Sequence, residues 1–186
     1  MNTIKYALNK NPLIVSVTNY SDINKSLQTH SNIIIVVNSD INTIKKIADK
    51  VKETDKLVLV HIDLMKGLKR DSAGVHFLAK HVGVDGIVTT HSNLIKTAKR
   101  LSLLTIQRIF ILDTASVEQG INSVKESQPS AVEILPGIVL PRIQNKIKNN
   151  IKVPIIAAGL INTKSEFDFI LQNGAQGISS SSNDLW

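Results

Sequence analysis

The chain has 186 residues and a mass of 20.4 kDa, with 42% hydrophobic residues, 20% charged residues and a mean hydropathy of +0.06. This length and composition predict one globular domain over residues 1–186 and exclude an intrinsically disordered chain. Because the sequence has no cysteine, disulfide scaffolds, cysteine nucleophiles and thiolate metal sites are excluded. The first residues lack the apolar stretch of a signal peptide, and no apolar run approaches about 18 residues, so we expect a cytoplasmic protein without membrane contact.

The basic charge is concentrated in the middle of the chain. Lysine and arginine outnumber aspartate and glutamate by 22 to 15, and residues 56–110 alone hold nine basic and three acidic side chains. Such an excess attracts phosphate groups, either of a small ligand or of a nucleic acid. The alternative is a solvated basic face without a partner. With 4% aromatic residues, a base-stacking platform is not expected.

Eight short runs rich in β-branched residues alternate with amphipathic segments. The runs are residues 13–17, 33–37, 57–62, 86–90, 104–109, 131–135, 153–157 and 176–179. Continuous apolar runs are typical of parallel strands covered on both faces. Eight β–α repeats in so short a chain predict an α/β fold, a compact (β/α)8 TIM-type barrel with short loops and a vestigial last helix. An open, doubly wound sheet is the alternative.

Several of the intervening segments begin or end with residues typical of helix caps. Helical spacing from Ile41 to Val51 follows a Ser39-Asp40 cap, and Asp71-Ser72 precedes another helix. Thr163, with a glutamate three residues later, predicts a capping box, and Asn173-Gly174 is expected to end that helix.

Two carboxylates lie where a barrel would place its functional residues, near the ends of strands. Period-two alternation puts His61 and Asp63 on one face of the third strand, which we expect to point into the barrel mouth. Asp63 should then face a cation, a hydroxyl or water; alternatively, it pairs with Lys66 or caps the loop. Glu133 stands alone in the apolar sixth strand, where it could bind hydroxyl groups, act as a general base or pair with Arg108.

The last two strands offer a phosphate site. Gly159 follows the seventh strand, and a serine run, Ser179 to Ser182, follows the eighth. Barrels often bind phosphate with the loops after these two strands. By contrast, the five histidines show no paired spacing on one helix face, so we expect no metal.

Taken in chain order, several stretches of the sequence resemble those of one family. The matching stretches are His61 to Leu64 with Gly67 to Lys69, Gly86 to Thr90 with Ser92-Asn93, Ile106 to Asp113, Val132 to Ile138, Pro154 to Ala157 with Gly159 to Ile161, and Leu185-Trp186. The sequence resembles the glycerol-3-phosphate-responsive antiterminator proteins, regulators of bacterial glycerol uptake operons. The resemblance covers roughly residues 10–186.

The resemblance implies an RNA-binding transcription antiterminator with leader mRNA as partner and glycerol 3-phosphate as effector, without a further cofactor and without enzymatic activity. Carried over by position, the candidate ligand- and phosphate-binding residues are Asp63, Arg108, Glu133, Gly137, Gly159, Ser179, Ser180 and Ser181. The candidate RNA-binding residues are Lys66, Lys69, Arg70, Lys96, Lys99 and Arg100.

This sequence departs from the family pattern at four positions. Thr18 and His91 stand where the family tends to have arginine, Ala158 replaces a glycine of the phosphate loop and Lys66 replaces a glutamine. The loss of two arginines removes bidentate phosphate donors, so it affects the identity and affinity of the effector more than the fold.

An enzyme is the alternative function, because barrels host many chemistries. It would be an isomerase, a lyase or a glycerol-phosphate prenyl transferase acting on a small phosphorylated substrate, with Asp63 and Glu133 as the acid–base pair. The sequence contains no motif that defines a nucleophile or a metal. A reduced eighth helix would also leave one barrel flank uncovered, which is a possible homodimer surface.

Overall fold

The computed structural model of the chain describes residues 3–186 and contains a closed barrel of eight parallel strands. The strands are β1 (Leu13–Val17), β2 (Ile33–Val36), β3 (Leu57–His61), β4 (Gly86–Thr89), β5 (Leu104–Phe110), β6 (Ala131–Leu135), β7 (Ile155–Ala158) and β8 (Gly177–Ser180). Each strand pairs with its neighbours in chain order, and β8 closes the ring by pairing with β1. The predicted barrel is therefore confirmed, and the open sheet is excluded.

Helices cover the outside of this barrel. They are α1 (Thr3–Lys10), α2 (Ile23–Leu27), α3 (Ile44–Lys52), α4 (Ser72–Phe77), α5 (Ser92–Arg100), α6 (Thr114–Ser127), α7 (Leu140–Asn150) and α8 (Lys164–Gln172). Short 3-10 turns precede α2 and follow β3 and β6, and α4 continues into a π-helical turn. After β8, the described residues form only a turn, in agreement with the predicted vestigial last helix.

Helix α1 was not foreseen from the sequence, and it closes the floor of the barrel. Its residues Ile4, Ala7 and Leu8 are buried in one cluster with inward-facing strand residues such as Ile14 and Ile156. Leu8 also packs so closely on the start of β8 that a Cβ at Gly177 would lie 2.6 Å from its side chain. Since α1 seals the end at which the strands begin, the interior opens at the end where the strands finish.

The predicted start of α3 was wrong by three residues. The Asp40 carboxylate accepts hydrogen bonds from the backbone N–H groups of Asn42 and Thr43 at 2.8 and 3.0 Å, as an N-cap does, but residues 41–43 form a turn and not regular helix. The backbone of Ile41 donates to the carbonyl of Lys66, so this turn is tied to the loop after β3. The helix therefore begins at Ile44, and Ile41 remains exposed.

Other predicted helix ends are confirmed. Asp71 accepts the N–H of Gly74 at 2.9 Å and caps α4. At α8, Thr163 and Glu166 form the reciprocal capping box, and Asn173 is the C-cap. Within residues 3–186, no helix combines the length and the apolar character that crossing a bilayer requires.

The capping box gives a direct test of how the sequence fixes α8. Replacing Thr163 with alanine removes the acceptor of the Glu166 N–H, 3.2 Å away, and is expected to lower the free energy of unfolding by about 1 kcal/mol. Urea unfolding measures this change. Ser165→Ala in the first turn of the same helix is the matched control and should leave the midpoint unchanged. Equal effects of the two substitutions would contradict the cap.

Candidate functional site

The barrel interior has an apolar lower part and a polar mouth. The lower inward positions belong to one buried apolar cluster, which includes Leu59, Ile106 and Ala131. Two residues further along their strands, the inward positions of β3, β5 and β6 are His61, Arg108 and Glu133. Between β1 and β8, Ser16 and Ser179 also meet at the mouth, with their hydroxyl oxygens 2.6 Å apart. Because every second strand residue faces inward, the last inward positions place polar groups at the mouth, above an apolar barrel interior.

Arg108 and Glu133 form a buried ion pair on adjacent strands. They are register partners of β5 and β6, and Arg108 Nε donates to Glu133 Oε2 at 2.6 Å. The arginine side chain is 11% exposed and the glutamate is fully buried. Of the roles open to Glu133 from the sequence, the pairing with Arg108 is the one that the structure contains.

Asp63 lies in the turn after β3 and binds the end of β4. Its Oδ1 accepts the Thr89 hydroxyl at 2.6 Å, while its Oδ2 accepts the N–H and the hydroxyl of Thr90 at 2.7 and 2.9 Å. Burial alone would raise the pKa of Asp63, but these three hydrogen bonds outweigh it and the pKa is lowered. The hydroxyl partners expected for Asp63 therefore come from the chain itself, and both carboxylate oxygens are already engaged.

A cavity of about 190 Å³ opens at the mouth between β1, β5, β7 and β8. Of the predicted ligand residues, the structure brings five to its wall: Arg108, Gly159, Ser179, Ser180 and Ser181. Thr18 and Ala158, two of the departures from the family pattern, also line it. The predicted phosphate loops therefore meet in one small cavity, whose wall combines these polar groups with apolar side chains such as Leu135 and Ile161.

The backbone at the wall of this cavity has two consecutive residues in the left-handed conformation. Gly159 has a φ of 78° and the next residue, Leu160, has a φ of 58°. Gly137 lies beside the loop and not in the cavity wall. Its N–H donates to the Gly159 carbonyl, and a Cβ there would lie 2.7 Å from the Ala158 nitrogen. Gly137 thus packs the loop that carries Gly159, and its amide is not free to bind an anion.

The serine loop is anchored by the last residue of the chain. The indole Nε1 of Trp186 donates to the Ser180 carbonyl at 3.0 Å. Lys25 Nζ lies over the same indole, 5.8 Å from the ring centroid. Within the loop, the Ser180 hydroxyl accepts the N–H of Ser182 at 3.1 Å. These contacts hold the loop in place beside the cavity.

His61 is the mouth residue that our predictions left out of the ligand set. Its side chain is 2% exposed, and neither ring nitrogen has a hydrogen-bond partner in the described chain. Burial, followed by the positive charge of Arg108, lowers the pKa of His61 to about 4, against the opposite effect of Asp63 and Glu133. The imidazole is therefore neutral at pH 7. A histidine at an inward position of a strand end is the sequence signal that marks it.

The six predicted RNA-binding residues fall into two groups. Lys66, Lys69 and Arg70 are exposed on the loop after β3, and their side chains have no hydrogen-bond or ion-pair partner in residues 3–186. In the second group, on α5, Lys96 donates to Glu126 at 2.6 Å and Lys99 to the Gln128 carbonyl at 2.7 Å.

A contact between helices places the third α5 residue near the first group. Arg100 lies 3.5 Å from the hydroxyl of Thr97, which is itself 3.5 Å from that of Ser72, two residues after Arg70. The flank between α4 and α5 thus connects the free loop cations with Arg100, while Lys96 and Lys99 are occupied by α6.

A second cavity, of about 590 Å³, lies at the closed end between α1, α7 and the end of α8. It is far from the strand ends at which barrels bind their ligands, so the mouth remains the candidate site. In the described part of the chain, no three histidine, aspartate or glutamate side chains are grouped to hold a metal ion.

Comparison with known proteins yields close matches of sequence and fold. A protein from Escherichia coli, YgcP, is 28% identical over 181 residues, covering 97% of this chain and 94% of that protein. The crystal structure of the glycerol uptake operon antiterminator regulatory protein from Listeria monocytogenes superposes with a TM-score of 0.89 at 30% identity, with 95% of each chain covered. A glycerol uptake operon antiterminator-related protein from Thermotoga maritima gives 0.83 at 31% identity, covering 94% of this chain and 96% of its own.

The predicted resemblance is confirmed by a family match that extends from the first strand to the last residue. Residues 13–186 match the family described as glycerol-3-phosphate responsive antiterminator, and with them the whole barrel and the polar mouth. The chain belongs to the glycerol-3-phosphate responsive antiterminator family.

Proposed function

We propose that this chain is a ligand-responsive regulator that binds leader RNA and takes glycerol 3-phosphate as its effector. The observation that carries the proposal is the mouth cavity. In this member of the family, an arginine, a glycine turn and a serine loop surround a space of about 190 Å³. A cavity of this size suits a small phosphate ester and is too small for a nucleotide. RNA then binds on the outer surface.

Arg108 supports a phosphate in this cavity. Only its Nε is bonded to Glu133; in the chain as described, its two terminal nitrogens have no hydrogen-bond partner. Because Arg108 also lines the cavity, its guanidinium can present these two nitrogens to phosphate oxygens. Arg108 is thus an arginine that this cavity retains, whereas Thr18 in the same wall has no guanidinium.

Calorimetry tests the effector directly. Glycerol 3-phosphate is expected to bind more tightly than inorganic phosphate, and glycerol alone should give no measurable heat at the same concentration. Binding no tighter than that of inorganic phosphate would contradict glycerol 3-phosphate as effector. The search for a ligand would then move to other phosphate esters.

RNA binding is expected to depend on the free cations of the loop after β3. Replacing Lys69 and Arg70 with alanine removes two contacts to RNA phosphates and should weaken binding by about tenfold at moderate salt. Because fewer counterions are released, the dependence of affinity on salt should also become shallower. The measurement is filter binding or fluorescence anisotropy with leader RNA at several salt concentrations, with and without glycerol 3-phosphate.

A charge-matched control separates this surface from general electrostatic attraction. Lys148 and Lys152, exposed at the other end of the barrel, are replaced with alanine in the control variant. Equal losses in the two variants would contradict a localised RNA surface. Absence of RNA binding at low salt, with or without glycerol 3-phosphate, would contradict the regulator.

The enzyme alternative has less support from the mouth geometry. A general acid–base pair needs carboxylates that can reach a substrate, whereas Asp63 holds three hydrogen bonds from β4 and Glu133 is buried behind Arg108. Glu133→Gln would abolish turnover in such an enzyme. A regulator has no turnover to lose.

A further inference from the structure

Three buried polar atoms at the barrel mouth have no partner in the described residues. They are both ring nitrogens of His61 and the Oε1 atom of Glu133. Buried polar atoms in native proteins are usually hydrogen-bonded, and one that is not requires an explanation such as a ligand or a bound water. Here the atoms belong to two inward side chains that are 2% and 0% exposed.

The hydrogen-bonding capacity of these atoms is defined by their chemistry. A neutral imidazole has one donor and one acceptor, and a carboxylate oxygen is an acceptor only. The mouth therefore offers two acceptors and one donor. Hydroxyl groups match this set, because each can donate to one of the acceptors or accept from the His61 N–H.

Arg108 connects Glu133 with the cavity, because it lines the cavity wall and its Nε donates to Glu133 Oε2. His61 and Glu133 are buried and are not themselves part of that wall. A phosphate bound against the serine loop attracts the same guanidinium. Drawing Arg108 toward the cavity would uncover Glu133 Oε1 and the imidazole to the remainder of the ligand.

We propose that His61, together with Glu133 Oε1, is the specificity-determining part of the site and binds the hydroxyl groups of a phosphorylated polyol. This inference rests on the proposed function, since it takes the phosphate position from it. Asp63, by contrast, contributes no hydroxyl contact because its own oxygens are satisfied by Thr89 and Thr90.

The test compares glycerol 3-phosphate with n-propyl phosphate, which has the same length and no hydroxyl group. In the parent protein, n-propyl phosphate should bind on the order of 100-fold more weakly, because it leaves the three polar atoms without partners. In His61→Leu, the affinity for glycerol 3-phosphate should fall to that for n-propyl phosphate, and the latter should change by no more than about twofold. His61→Asn, which retains one donor and one acceptor, should keep a preference of about tenfold.

Folding is measured on the same variants. His61→Leu should unfold at an unchanged or higher urea concentration at pH 7, because it replaces two unsatisfied nitrogens with an apolar side chain. Should that variant fail to fold, His61→Asn decides, and an undiminished preference for glycerol 3-phosphate would overturn the proposal.

The outcomes distinguish this inference from the proposed function. Equal binding of the two esters by the parent protein would overturn the hydroxyl site and leave phosphate recognition intact. Buried water would then be the hydrogen-bond partner of the three atoms. Binding of neither ester would overturn the effector and the hydroxyl site together. An equal loss of both esters in His61→Leu would show a merely structural role for the histidine and overturn the proposal.

Discussion

Replacing Arg108 with methionine is expected to lower the free energy of unfolding by about 3–5 kcal/mol at pH 7. The reason is the fate of its partner. Glu133 is fully buried, and without the guanidinium its charge remains inside the barrel with no compensating cation. Removing one member of a buried ion pair is costly for this reason, even where the pair itself adds little stability. Urea unfolding followed by circular dichroism measures the loss.

A second variant separates the cost of the orphaned charge from that of lost packing. Arg108→Met combined with Glu133→Leu removes both charges and should restore most of the stability, to within about 1 kcal/mol of the parent protein. Lys96→Met, which breaks an exposed ion pair with Glu126, is the control and should leave the unfolding midpoint unchanged. A double variant no more stable than Arg108→Met would contradict the buried pair as the cause.

Acidification is expected to destabilise the protein before its carboxylates are protonated. The pKa of His61 is lowered from the ordinary 6.5 to about 4 in the folded state. Between these values the unfolded chain binds the proton and the folded chain does not, so stability falls as the pH falls. Above pH 6.5 this contribution is constant. By pH 4 the accumulated loss is on the order of 3 kcal/mol, at about 1.4 kcal/mol for each pKa unit.

The window from pH 6.5 to 5 isolates the histidine. The pKa of Asp63 is lowered from an ordinary value of 3.8, so the stability that it contributes is lost only at lower pH. Free energies of unfolding in urea at pH 7, 6 and 5 should therefore decline for the parent protein and stay nearly level for His61→Leu. A parent protein with the same stability at pH 7 and pH 5 would contradict a neutral, buried imidazole.

The strands were predictable because their pattern is long, repeated and local. Residues 13–17 and 131–135 were predicted with the bounds that the structure has. The seventh strand was expected from Val153 but begins at Ile155; the preceding Pro154, which has no N–H, contributes only its carbonyl, to Val132. Helix α1 was missed because its buried face consists of only three residues, too few to establish a period.

The candidate site was predictable in its location and less so in its contacts. The position of the cavity could be predicted from the strand ends and the serine run, because chain order fixes where both lie in a barrel. The partners of Asp63 lie 26 and 27 residues further along the chain, and only the closed register brings them to it. The unsatisfied nitrogens of His61 are a property of its surroundings, which no sequence pattern reports. The sequence therefore predicts where the mouth lies, whereas the structure is needed to show which of its polar groups are hydrogen-bonded and which are not.

The indole of Trp186, which is hydrogen-bonded to the serine loop, is also an intrinsic fluorescent probe of that loop. Trp186 is the one tryptophan in the chain, so its emission comes from a single position. That position is one hydrogen bond from Ser180, a residue of the cavity wall, and within 5.8 Å of the ammonium of Lys25. Indole emission responds to the polarity and charge around the ring, so a rearrangement of the loop changes the colour or intensity of the signal. Binding of the proposed effector at the mouth is therefore expected to change the Trp186 emission, which is measured on unlabelled protein.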